Sequence, residues 1–172
     1  MITLQRPREN LATSYFEFME EMRQQGEKIW EGMIPKPGEP TPAFVLRLLG
    51  AETHPEPGLV AETSYWACEG ERVVGRIALR HHLNESLKEF GGHIGYEVRP
   101  SCRKRGIAKE MLRQLLQTTK AREIEKLLLT CAPDNTASNK TILANGGSLA
   151  KTAYVEKWQR DTNYYWISLA RE

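Results

Sequence analysis

Residues 99 to 109 carry five basic side chains, Arg99, Arg103, Lys104, Arg105 and Lys109, and no acidic one. Around them the order is strand, proline, basic loop, glycine and helix, written GHIGYEVRPSCRKRGIAKEML over residues 92–112. The first turn of a helix has backbone N–H groups without internal partners, and the helix dipole makes that end positive. Gly106 has no Cβ to keep a ligand from the main chain, and Arg103, Lys104 and Arg105 add charge at the same point. Such a loop is an anion cradle suited to a pyrophosphate. It is neither the GxxxxGK(S/T) phosphate loop nor the GxGxxG dinucleotide fingerprint.

The whole chain has 24 Lys and Arg against 22 Asp and Glu, a formal net charge of +2. Outside the loop, 19 basic residues face 22 acidic ones, so the remainder is net −3. A general nucleic-acid binder spreads positive charge over a whole face. Charge confined to one loop favours a small, multiply charged anion as the ligand.

The elements that must position this loop follow from patterning. A chain of 172 residues with 40% hydrophobic and 27% charged content reads as one globular domain, residues 1–172. Ile2–Gln5 reads as a first strand. From Asn10 to Gln25, Leu11, Tyr15, Phe18, Met19 and Met22 share one helical face. Six of the nine prolines lie between Pro35 and Pro57, which makes those segments loop around a short helix at Pro42–Gly50. Ser64–Cys68 and Val73–Leu79 form a hairpin, and in the strand His93–Arg99 Ile94, Tyr96 and Val98 alternate with His93, Gly95 and Glu97.

A helix over Ile107–Arg122, a buried strand KLLLTCA (126–132) and a helix over Asn135–Asn145 come next. Ser148–Gln159 and Tyr164–Leu169 close the chain as a hairpin around Arg160–Asn163. The fold class is α/β of the mixed α+β kind: a largely antiparallel sheet flanked by helices, with a βαβ unit in the second half. No apolar run is long enough to span a bilayer, the first residues lack signal-peptide order, and Cys68, Cys102 and Cys131 have no metal-ligand spacing. A reducing cytoplasm is the expected compartment.

The local pattern Arg103-x-x-Gly106-x-Ala108, after a strand and a proline, resembles the acetyl-CoA signature of the GCN5-related N-acetyltransferase (GNAT) superfamily. Downstream, the strand KLLLTCA, Asp134-Asn135-Thr136-Ala137-Ser138-Asn139 opening a helix, and Asn145-Gly146-Gly147 keep the superfamily's order. The stretch Thr63–Gly147 is similar to a subgroup of poorly characterised predicted acetyltransferases, through Thr63-Ser64-Tyr65-Trp66, RHHLNESL (80–87), GGHIGYEVRPSCRKRGIA (91–108) and LTCAPDNTASNKTILANGG (129–147).

The resemblance implies an αβα fold with a mixed central sheet of six to seven strands. In it a parallel pair, here 93–99 and 126–132, splays apart. It further implies that Arg103, Lys104, Arg105, Gly106, Ile107 and Ala108 bind the pyrophosphate of acetyl-CoA. Val98, Asn135 and Ser138 would hold the pantetheine arm, much as an added strand is held. A deprotonated amine would attack the thioester directly, with a backbone N–H at the developing oxyanion.

His93 and Glu97 are the candidate bases. They share a strand face with backbones ~13 Å apart, so only one can sit beside the amine. The competing readings are a hydrogen-bonded sheet histidine and a carboxylate paired with an arginine such as Arg99. Many members place a tyrosine acid seven residues after the helix-opening Asn; here that position is Ile142. Ser138 is the substitute donor, or else a helix cap together with Asn135, in which case water protonates the thiolate.

Arg80 or His81 could hold an acidic part of the acceptor. Cys102 and Cys131 read as packing residues, and Trp30, Trp66, Tyr96, Trp158, Tyr165 and Trp166 as core or hairpin-interface residues. Glu17–Glu27 reads as a solvated face. The expected acceptor is a small-molecule or peptide amine that residues 10–60 would select, without nucleic acid, membrane or metal. A second subunit on the terminal hairpin would make a homodimer. The rival functions are a non-catalytic acyl-CoA sensor and a basic loop that contacts RNA or DNA.

Overall fold

The computed structural model describes residues 1–169. In chain order the elements are β1 (Thr3–Gln5), α1 (Glu9–Gln24), α2 (Thr41–Gly50), β2 (Glu62–Glu69), β3 (Arg72–Arg80) and α3 (Glu85–Glu89). They continue with β4 (Ile94–Val98), α4 (Ile107–Leu116), α5 (Thr119–Arg122), β5 (Lys126–Cys131), α6 (Thr136–Ala144), β6 (Ser148–Val155) and β7 (Arg160–Ser168). The seven strands form two antiparallel sheets, ordered β1-β2-β3-β4 and β5-β7-β6. The mixed α/β class is as the patterning implies.

Both faces of the first sheet are covered, because its central strands are apolar on both. On one face α1 presents Leu11, Tyr15, Phe18, Met19 and Met22, all buried, against Trp66 and Phe44. The Tyr15 ring stacks on Trp66 with centroids 4.3 Å apart. On the other face α4 buries Ile107, Met111, Leu112 and Leu115 against Ile77, Leu79, Leu127 and Leu129. This second cluster draws on both sheets, so α4 and the loop that starts it are held by the core. The Pro-rich loops are tied by ion pairs instead, Arg47–Glu39 at 2.8 Å and Lys36–Glu56 at 2.6 Å.

Two expectations change. The helix expected over Ile107–Arg122 breaks after Leu116, because Thr118 turns its hydroxyl onto the backbone. That oxygen donates to the Leu115 carbonyl (2.7 Å) and accepts from the Ala121 N–H (3.3 Å), capping the separate α5. The terminal hairpin turns at Glu156–Gln159, not at Arg160–Asn163. Asp161, Thr162 and Asn163 look like turn residues, yet Asn163 is paired inside the sheet region, donating to Asn139 Oδ1 (2.9 Å) and accepting from Thr152 (2.7 Å).

The strand pair at 93–99 and 126–132 splays apart as the resemblance implies. These residues form no ladder: β4 and β5 are the facing edges of separate sheets. They meet at a single antiparallel-type bridge, Gly92 to Leu129, and at His93, whose N–H donates to the Leu128 carbonyl (2.7 Å). Beyond that point they border a cleft.

Candidate active site

One wall of the cleft is the free edge of β4. The Arg80 N–H donates to the His93 carbonyl (2.7 Å) and the Arg99 N–H to the Val74 carbonyl (2.9 Å). The register pairs Gly95 with Ala78 and Glu97 with Arg76. Hydrogen bonding alternates along an antiparallel pair, so Gly95 and Glu97 bond to β3 while the main chain of Ile94, Tyr96 and Val98 faces the cleft. That edge can accept an extended amide-bearing chain as a further strand would.

At the C-terminal end of β4 stands the basic loop. Lys104 (φ 62°) and Gly106 (φ 75°) both adopt the left-handed conformation, and Gly106 is the residue that caps α4. No side chain caps this helix, so the first-turn N–H groups of Ile107 and Ala108 point outward unsatisfied by the helix itself. A Cβ built at Gly106 would meet no atom within 4 Å, so the approach to this main chain is open. The composition of the loop, its conformation and the helix end together fit a diphosphate.

Its charge is distributed differently from the sequence expectation. Arg99 is buried and turned away from the loop, bound to Glu21 (2.7 Å) and Glu17 (3.2 Å) of α1 and to the Val73 carbonyl (3.2 Å). Arg103 pairs with Glu27 through both terminal nitrogens (2.5 and 2.7 Å), and its Nε donates to the Val98 carbonyl (3.0 Å). Arg105 pairs with Glu69 (2.6 Å). Lys104 and Lys109 make no ion pair among the described residues. Within the acidic run Glu17–Glu27, Glu17 and Glu21 meet Arg99 and Glu27 meets Arg103, while Glu20 stays on a solvated face paired with Arg23.

Across the cleft, Asn135 caps α6, its Oδ1 accepting from the Ser138 N–H (3.2 Å). Ser138 lies 2.7 Å, oxygen to oxygen, from the Tyr96 phenol. This bond bridges the β4 edge and the helix beyond β5. Burial pushes the Tyr96 phenol up to about 12, and it stays protonated. Ile142, in the position of the usual tyrosine, is buried in the core. Tyr96 was not legible as a functional residue; the only sequence signal was a phenol between Ile94 and Val98, on a face that demands a polar partner.

On the opposite face of the first sheet the two candidate bases have different surroundings. His93 Nδ1 accepts the Leu128 N–H (2.8 Å), which leaves the proton of the neutral ring on Nε2. Burial, with the Arg80 and His82 charges, pushes this imidazole down to about 4. The lone pair that a base would use is occupied. Glu97 accepts from Arg76 Nη1 (2.8 Å), not from Arg99, and Arg76 also faces Glu62 at 4.0 Å. Arg80 is spent within the fold, bound to Glu62 (3.3 Å) and to the Gly91 and Gly92 carbonyls (3.3 and 3.1 Å). His81 Nε2 shares a hydrogen bond with Thr63 Oγ1 (2.8 Å).

Cys68, Cys102 and Cys131 are all buried and unpaired with one another. Burial raises the Cys131 thiol, which argues against a thiolate nucleophile. Among the described residues no cluster of three metal-binding side chains occurs, and no helix is long and apolar enough to cross a membrane.

An edge strand facing a cleft, a basic loop feeding an uncapped helix and a second capped helix opposite define a class of fold. The chain matches the model of the acetyltransferase (GNAT) family over residues 17–146, and it belongs to that family. It is accordingly an N-acetyltransferase. Three solved structures show the same fold. The microcin C7 self-immunity acetyltransferase MccE, in complex with acetyl-CoA and AMP, has a TM-score of 0.70 at 17% identity, covering 98% of this chain and 92% of its own.

Mycobacterium smegmatis RimJ, in complex with CoA-disulfide, has a TM-score of 0.69 at 19% identity, covering 97% of this chain and 81% of its own. The ribosomal L7/L12 alpha-N-protein acetyltransferase RimL, in complex with coenzyme A, has a TM-score of 0.68 at 19% identity, covering 98% and 94%. No curated protein matches the chain in sequence.

Proposed function

We propose that the protein transfers the acetyl group of acetyl-CoA to a primary amine by direct attack on the thioester. Acetyl-CoA as donor accords with the coenzyme A and acetyl-CoA complexes of the similar structures. In this reading the main chain of Lys104–Ala108, with Lys104 as the unpaired cation, holds the diphosphate. The cleft-facing edge of β4 at Tyr96 and Val98, together with Asn135, holds the pantetheine amides. The Val98 N–H is the donor nearest the developing oxyanion.

The Tyr96–Ser138 hydrogen bond carries the catalytic assignment. As the C–S bond breaks, the leaving sulfur takes the Ser138 hydroxyl proton while the protonated Tyr96 phenol donates its hydrogen bond to the Ser138 oxygen, and solvent water returns a proton to Ser138. Glu97, on the acceptor face, receives the proton lost by the amine. Its second oxygen is free of Arg76 for that purpose. His93 is a latch between sheets in this scheme and takes no proton from the amine.

The test is an acetyl-CoA turnover screen that reads thiol release across polyamines, amino acids, aminoglycosides and peptide N-termini. Ser138→Ala combined with Tyr96→Phe is expected to lower kcat at least tenfold at neutral pH. The loss should shrink above about pH 8.5, where a thiol leaves unaided. Tight acetyl-CoA binding without release to any amine would instead identify a sensor, and equal rates in the double variant would remove the Tyr96–Ser138 acid.

A further inference from the structure

The segment that follows α1 is held at two points, by Arg103 beyond β4 and by Trp158 between β6 and β7. Glu27 is anchored on the first sheet's side, through Arg103, which itself holds the Val98 carbonyl. Three residues later Trp30 is anchored on the second sheet's side. Its ring meets Trp158, in the turn between β6 and β7, edge-on at 5.9 Å. The Lys28 ammonium lies 3.7 Å from the Trp30 centroid and 4.6 Å from that of Trp158, and Trp158 in turn meets Phe90 at 5.0 Å. Cation–π contacts and aromatic edges of this kind are each weak and readily exchanged at an exposed site.

Arg103 is the first residue of the diphosphate loop, and a carboxylate occupies both of its terminal nitrogens. A phosphate presents the same paired oxygens to a guanidinium and binds it in the same planar geometry. Both anions cannot take that edge together. We propose that Glu27 is a positioning residue: it holds Arg103 until the donor's diphosphate displaces it, and its release frees the Glu27–Trp30 strap. This rests on the diphosphate reading given above.

The experiment is calorimetric titration of coenzyme A into the wild-type protein, Glu27→Gln and Glu31→Gln. Glu31 removes an equal charge from the same segment, and it makes no ion pair among the described residues. Glu27→Gln is expected to bind coenzyme A about two- to fivefold more tightly, the range set by breaking one exposed ion pair. Glu31→Gln should leave the affinity unchanged.

Acrylamide quenching of Trp30, read as the difference from Trp30→Phe, should rise when coenzyme A is added to wild type. In Glu27→Gln it should already be high without ligand. Equal affinities for the two variants, weaker binding by Glu27→Gln, or quenching indifferent to coenzyme A would overturn the strap while leaving the diphosphate site standing. A wild-type protein that does not bind coenzyme A would overturn both.

Discussion

The imidazole of His93 accepts a hydrogen bond from the Leu128 N–H, and its own N–H and carbonyl bond to β5 and β3 respectively. Protonation would place a donor against a donor in a buried site. With its folded pKa lowered to about 4 from 6.5, the unfolded chain binds the extra proton first as pH falls. This residue's contribution is thus complete above about pH 6.5 and is lost progressively toward pH 4, by roughly 3 kcal/mol at most. Urea unfolding at pH 7.5 and pH 5 should show the wild type losing stability across that window. His93→Gln should show a flatter acid limb. A pH-rate profile that keeps its acid limb in His93→Gln would confirm that the base lies elsewhere.

At the scale of an element, the loop before α4 combines strain with access. Lys104 sits at φ 62°, where a side chain costs about 1–2 kcal/mol, and Gly106 at φ 75° has open space where a Cβ would go. Gly106→Ala should therefore cost only the backbone strain, about 1–2 kcal/mol of stability. Its methyl group would nevertheless stand over the N–H groups that receive the diphosphate, and coenzyme A affinity should fall more than tenfold. Chemical denaturation and calorimetry on the same variant separate the two effects. An equal loss in both would mean that the loop, not its approach, had been damaged.

The molecule as a whole depends on how the two sheets are joined. Gly92 has φ +62°, and a Cβ there would lie 2.3 Å from the Leu128 carbonyl oxygen, which also accepts from His93. The obstructing oxygen and carbon are Leu128 backbone, which leaves little room to relax. Gly92→Ala should destabilise the fold by more than ~2 kcal/mol and open the junction. A donor that contacts β4, α4 and α6 at once stabilises only the joined state. At one hundred times its Kd, coenzyme A should restore about 2.7 kcal/mol to that variant in thermal or urea melts. Stability unchanged by Gly92→Ala would show that the core beneath α4 alone holds the sheets together.

How much of this was legible in the chain differs from residue to residue. The apolar spacing of Leu11, Tyr15, Phe18, Met19 and Met22 gave α1 to within a residue, because helical periodicity is a local property. The turn at Gly70, the strand Ile94–Val98, the cap at Asn135 and the glycine before α4 were local too. Arg103-x-x-Gly106-x-Ala108 was enough to point to the family. Local patterning misplaced the terminal turn, since Asp161, Thr162 and Asn163 look alike in a turn or a strand until Asn139 and Thr152 arrive as partners.

Pairings between distant residues had no local signature. Arg99 and Glu97 are two residues apart and were natural partners on paper, yet they are fixed by different elements: Arg99 by α1 and Glu97 by Arg76 of β3. The Tyr96–Ser138 bond joins residues 42 positions apart, and Glu27 meets Arg103 across 76. Hydrophobic period and turn chemistry act over a few residues, so they determined the elements and the anion cradle. Which charges remain free, which hydroxyls meet and what crosses the cleft depend on elements brought together by burial, and those only the assembled core decides.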